Sequence, residues 1–127
     1  MEHPQVTLSP GEWRGMEALW QQPCTLMELV RTLGDSAGWA KSTVTTMIRR
    51  MEEKGLVTYE QSGRTKVFHP AVSREDAAAA ETDSLLRRAY HGSAGLLINS
   101  LAQRELLTRS DIEALYDVLR KAEEDAI

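Results

Sequence analysis

Between Lys41 and Arg50 the chain reads Lys-Ser-Thr-Val-Thr-Thr-Met-Ile-Arg-Arg. Read as a helix with Val44 turned inward, this segment puts Ser42, Thr45, Thr46, Arg49 and Glu53 on the opposite side. Thr43 and Arg50 flank that face. Hydroxyls hydrogen-bond base edges or phosphates, threonine methyls meet thymine methyls, and arginine pairs with guanine or phosphate. Threonine is a poor choice for an exposed helix on propensity alone, so three of them here need another reason. The competing reading is an ordinary solvated helix face. From Trp39 to Lys66 the chain carries six basic residues (Lys41, Arg49, Arg50, Lys54, Arg64 and Lys66) against Glu52, Glu53 and Glu60. A locally basic stretch is a candidate anion-binding face, and Arg64 and Lys66 add cations where a turn would meet phosphates.

Other chemistry finds little support. His3, His69 and His91 are scattered, and no His/Cys pairing has the spacing of a metal site. No cofactor is expected. The single cysteine, Cys24, excludes an internal disulfide and reads as a small buried hydrophobe or helix-start residue. Nucleophile elbows, phosphate-binding loops and H-E-x-x-H motifs are absent, so no enzyme is expected. The 127 residues carry a net charge of −4, with 42% hydrophobic and 27% charged side chains, ordinary for a globular chain. The charge is unevenly placed: residues 1–72 balance eight basic against eight acidic, whereas residues 73–127 hold seven against eleven. No apolar run approaches the roughly 20 residues of a membrane span, and the N-terminus is not a secretory signal. The expected location is cytoplasmic, with no membrane partner.

The elements that must position these residues are legible in order. Ser9-Pro10-Gly11-Glu12 is a capping box that starts a helix ended by Gln21-Gln22-Pro23, with Trp13, Met16, Leu19 and Trp20 as its core stripe. Thr25-Leu26-Met27-Glu28 is a second box, followed by Leu26, Leu29, Val30 and Leu33 at helical spacing. Gly34 to Gly38 reads as a turn, and Trp39 as a packing residue closing it. A third helix spans about Ala40 to Lys54, with Val44, Met47, Ile48 and Met51 inward and Gly55 after its end. Leu56–Glu60 and Thr65–His69 read as two strands joined by the turn Gln61-Ser62-Gly63-Arg64 and stopped by Pro70. Three helices followed by a hairpin is the order of a winged helix-turn-helix, in which the third helix enters the major groove and the hairpin touches the backbone.

Beyond Ser73, a helix to about Tyr90, a segment with Leu96, Leu97, Ile98 and Leu101, and a helix capped by Thr108 complete the chain. The overall expectation is a mainly α protein with a small β-hairpin: a DNA-binding winged helix-turn-helix at 1–72 and a helical dimerisation domain at 73–127. Stripes formed by Leu96, Leu97 and Leu101, and by Ile112, Leu115 and Leu119, make a thin core that a second copy would cover. The competing reading is a compact monomeric helical lobe.

Leu8-Ser9-Pro10-Gly11-Glu12-Trp13, and more specifically Trp39-Ala40-Lys41-Ser42-Thr43-Val44-Thr45-Thr46 with Ile48, Arg50 and Lys54-Gly55-Leu56, resemble the penicillinase-repressor family (BlaI/MecI/CopY type). Val67-Phe68-His69-Pro70, Tyr90-His91-Gly92 and Asp111-Ile112-Glu113-Ala114-Leu115 extend the resemblance over nearly the whole chain. It implies a homodimeric transcriptional repressor on an inverted-repeat double-stranded DNA operator, often with TACA/TGTA-like half-sites. Thr43, Thr46 and Arg50 match the family's DNA-contacting positions. Ser42 stands where relatives often carry Lys, and Ala40-Lys41 where they often have Ser-Pro. The resemblance also implies two routes of induction. One is a sensor-linked protease that cuts the helix after the Tyr-x-Gly landmark, between Asn and Phe. Here that bond falls near Ser100-Leu101, beside Asn99, where the Asn-Phe pair is missing, with Gly92 and Gly95 upstream to loosen the helix. The other is copper sensing through a C-terminal C-x-C pair, which this chain lacks. The alternative functional reading is a winged-helix protein–protein module without specific DNA binding.

Overall fold

The computed structural model describes residues 6–126 and divides into two compact units, one ending at Ser84 and one beginning at Leu85. Within the first, α1 (Pro10–Gln21) starts at Ser9, whose hydroxyl accepts the Glu12 N–H while the Glu12 carboxylate accepts the Ser9 N–H. The same reciprocal box starts α2 (Leu26–Ala37) at Thr25 and Glu28. The Thr25 N–H holds the Glu28 carboxyl below its ordinary range.

The expected turn at Gly34 to Ala37 is instead the last turn of α2. The helix ends only at Gly38, which takes φ 70° and donates to the Gly34 carbonyl at 3.0 Å. One glycine inside a helix costs roughly 1 kcal/mol, too little to end it when the αL position is filled four residues later. The third helix, α3 (Lys41–Glu53), stops where expected. Leu56 N–H bonds the Met51 carbonyl at 2.9 Å and Gly55 N–H the Glu52 carbonyl at 3.0 Å, with Gly55 at φ 78°. A Cβ on Gly55 would meet nothing within 4 Å. Gly55→Ala is therefore expected to cost about 1 kcal/mol from backbone conformation alone, read as a fall in the urea midpoint at unchanged slope.

The hairpin is longer than the sequence indicated. β2 (Val57–Ser62) and β3 (Thr65–Pro70) pair down to Ser62 opposite Thr65, so Gln61 and Ser62 lie in the strand and Gly63-Arg64 alone make the turn. A two-residue β1 (Cys24–Thr25), not anticipated, pairs antiparallel with Phe68 and Val67, giving the sheet order β1-β3-β2. It ties the start of α2 to the hairpin. Cys24 is buried, as expected of a small hydrophobe. Burial, with Glu28 nearby, pushes its thiol pKa up, opposite to what a reactive thiolate needs.

The core of this unit gathers Met16, Leu19, Leu29, Leu33, Val44, Ile48, Met51, Leu56, Val57 and Phe68. Trp13 and Trp20, expected inside it, are half-buried and seal its edge, their rings edge-to-face at 5.8 Å. The Trp20 indole N–H needs a polar partner, and donates to the Val72 carbonyl at 2.9 Å. Arg74 pairs with Glu17 at 3.1 Å, and Ala77 and Ala80 are buried. The start of α4 (Arg74–Ala89) thus belongs with the first unit, which extends past the boundary read at 72.

In the second unit His91 (φ 51°) and Gly92 (φ 79°) turn the chain after α4, and Ser93 caps α5 (Ala94–Gln103). Gly92 therefore lies in the turn and only Gly95 within the helix. Thr108 and Asp111 form a third reciprocal box at the start of α6 (Arg109–Asp125). No residue of α5 or α6 is buried. Leu97, Leu101 and Leu115 are half-buried, while Leu96, Ile112, Tyr116 and Leu119 are 43–65% exposed. Among the described residues no helix is long and apolar enough to cross a membrane.

Candidate nucleic-acid interface

Val44, Ile48 and Met51 are the buried side of α3, so its hydroxyls and arginines must face outward. They divide into two groups. Ser42, Thr43, Thr46 and Arg50 border one shallow depression with Met47. Thr45 and Arg49 turn towards the hairpin and border an open groove of about 780 Å³, which Arg64 and Lys66 also line. The α3 segment and the hairpin tip, read separately in the sequence, thus share one surface. Arg49, Arg50 and Arg64 are exposed and, among the described residues, none has a carboxylate within ion-pair distance. The Lys66 ammonium lies over the Tyr59 ring, 4.2 Å from its centroid. That contact holds the cation on the hairpin while leaving it exposed.

The reading of the residue pattern missed two details. The Thr45 hydroxyl donates to the Lys41 carbonyl at 2.9 Å, so towards a ligand it offers lone pairs and a methyl. The cap residue Ala40 has no side chain to satisfy the first N–H groups of α3, unlike the boxed starts of α1, α2 and α6. An open helix start beside Lys41 and Ser42 suits a phosphate. Its sequence signal was the missing Ser, Thr, Asp or Asn before Lys41.

Lys54 stands apart from the other nine residues named for DNA contact. Its ammonium bonds the buried Glu12 carboxylate at 2.6 Å and the Thr7 carbonyl at 3.3 Å. Burial pushes the Glu12 carboxyl up, but Lys54 and the Ser9 N–H outweigh it and hold the pKa below the ordinary 4.5. The pair pins the end of α3 to the start of α1. A depressed carboxyl stabilises the fold above its unfolded value, and that contribution is lost as pH falls through the folded value. Glu12→Gln is expected to cost roughly 1.5–3 kcal/mol near neutrality. The gap to wild type should narrow below pH 4.5 in thermal melts.

Three helices, a closing hairpin and an outward polar third helix define a winged helix-turn-helix protein, mainly α with a three-stranded antiparallel sheet. Residues 8–121 match the penicillinase repressor family, and the chain belongs to it. It is 25% identical to the penicillinase repressor of Bacillus licheniformis over 93% of this chain and 91% of that one. Against the methicillin resistance regulatory protein MecI of Staphylococcus aureus it is 20% identical, covering 95% and 99%. The solution structure of the B. licheniformis BlaI monomer in complex with the blaP half-operator superposes with a TM-score of 0.51 at 25% identity. That match covers 56% of this chain and 88% of the other. The isolated DNA-binding domain of the repressor BlaI matches at 0.51 and 26%, over 59% and 90%.

Proposed function

We propose that this protein is a homodimeric transcriptional repressor that binds an inverted-repeat operator through α3 and the hairpin. The observation that carries the reading is the shared surface of Thr45, Arg49, Arg64 and Lys66, on a chain of a repressor family whose B. licheniformis relative is solved on a half-operator. Ser42, Thr43, Thr46 and Arg50 face base edges, and Arg49, Arg64, Lys66 and the open start of α3 at Lys41 hold phosphates. Lys54, though exposed, positions α3 through the buried Glu12. The exposed stripe of Leu96, Ile112, Tyr116 and Leu119, with Leu97, Leu101 and Leu115 beside it, supports dimerisation through the region after residue 72.

Two substitutions separate positioning from reading. Arg64→Ala is expected to weaken all DNA sequences alike and lower the salt slope by about 1, because a phosphate contact releases one counterion. An unchanged slope removes the hairpin from the interface. Thr46→Ala should cost roughly 1–3 kcal/mol at one half-site position only. Anisotropy on the protein's own promoter DNA, across operator variants and salt, reads both. Equal affinity for promoter and random DNA would favour a protein-interaction module instead.

Relief of repression fits a cut at Ser100-Leu101. That bond lies inside α5, where the Tyr90 hydroxyl bonds the Ser100 hydroxyl at 3.3 Å, so a protease needs local opening first. Gly95 in the first turn lowers the cost of that opening. Cutting would detach α6 from the dimer and leave α3 unchanged. Mass spectrometry of the protein from induced cells tests this, and full-length protein persisting through derepression overturns it.

A further inference from the structure

The groove between the start of α2, α3 and the hairpin holds more than a DNA backbone uses. Its floor is apolar: the half-buried Leu26 and the edges of the core residues Ile48 and Phe68, each 5% exposed, with the exposed Met27 at the rim. Above the floor stand Arg49, Arg64 and Lys66 against one acid, Glu52. At about 780 Å³ it falls within the size range of small-molecule sites, which pair an apolar lining with a few fixed polar groups. A phosphodiester chain satisfies the three cations but presents little apolar surface to the floor. A bare inorganic anion leaves the floor wet. The complementary occupant carries both features.

We propose that this groove binds a small amphipathic anion, an acidic group on a compact apolar body, and that its occupancy excludes DNA from the same face. The acidic group pairs with Arg49 and Arg64, and the apolar body covers Leu26, Ile48 and Phe68 beside Met27. Competition follows because a ligand seated in the groove places its body and its negative charge where a phosphate would approach Arg49 and Arg64. The competition half rests on the DNA reading above, whereas binding to the groove does not. Such a ligand would relieve repression without any covalent change in the chain.

The test is a ¹⁵N-resolved titration of the full chain with naphthalene-2-sulfonate as probe and sodium sulfate as the anion-only control. Saturable shifts are expected at the amides of Leu26, Ile48, Arg49 and Phe68, with a Kd on the order of 100 µM. Sulfate should give no saturable shifts there below tenfold higher concentration. Met27→Glu places a negative charge at the rim of an exposed helix start, where glutamate is well tolerated. It should weaken the probe roughly tenfold with an unchanged circular dichroism spectrum. Shifts confined to residues 94–126, no saturable shifts, or sulfate matching the probe would each overturn the site. In a parallel anisotropy experiment the probe should raise the apparent Kd for promoter DNA. Groove binding with undiminished DNA affinity would overturn the competition and leave the DNA reading standing. Failure of the chain to bind promoter DNA at all, with the groove shifts intact, would overturn the competition and the DNA reading but not the site.

Discussion

A chain ending at Ser84 is expected to fold, to sediment as a monomer, and to bind its operator roughly 10²–10⁴-fold more weakly than the full chain. The end point matters. A cut after Val72 would remove Arg74, the partner of Glu17, together with the buried Ala77 and Ala80. It would therefore mix loss of stability with loss of pairing. A cut after Ser84 keeps that packing and removes the exposed or half-buried end of α4, Leu85–Ala89, with α5 and α6, neither of which has a buried residue of its own. Binding one half-site then no longer raises the local concentration of a second lobe at the other. Affinity for an isolated half-site should be unchanged, which separates lost coupling from damaged recognition. Sedimentation of both chains, with anisotropy on full and half operators, reads the result. Two monomers, or two dimers, would move the interface or abolish it.

The second large effect is on stability. Met51 is fully buried under α3 and lies against Gly15 of α1, where a Cβ would come within 3.2 Å of its sulfur and terminal methyl. Close approach of the two helices depends on that pairing of the smallest residue with a long flexible one. Met51→Ala is expected to destabilise the first unit by about 2–5 kcal/mol, because α1 and α3 cannot collapse fully onto the space left. The outward hydroxyls and arginines of α3 are not altered. Below the melting transition, operator affinity and its salt slope should therefore match wild type. A changed slope with unchanged stability would show that Met51 sets the orientation of α3 rather than its anchorage.

How far the residues alone reach can be followed element by element. The capping boxes at Ser9 and Thr25, and the cap at Thr108, were legible because each is closed by two hydrogen bonds between residues three apart. Gly55 was legible for the same reason, its backbone conformation being set within one turn. So was the outward face of α3, since period 3.6 leaves its hydroxyls and arginines no other side once Val44, Ile48 and Met51 are inward. Gly34 misled, because a glycine marks a helix end only when tertiary packing does not carry the helix past it.

The order of the helices and the hairpin, most of their ends and the chemical character of the third helix were thus readable from residues alone, because all are products of contacts between near neighbours. Features that need distant segments to meet came from the packed fold. The pairing of Cys24 with Phe68 joins residues with no local signal for each other. Lys54 reads as one more surface cation until Glu12, 42 residues away, takes its charge. Arg49 and Arg64 became lining residues of one groove because α3 and the hairpin pack on a common core, a long-range hydrophobic outcome that no window of sequence contains.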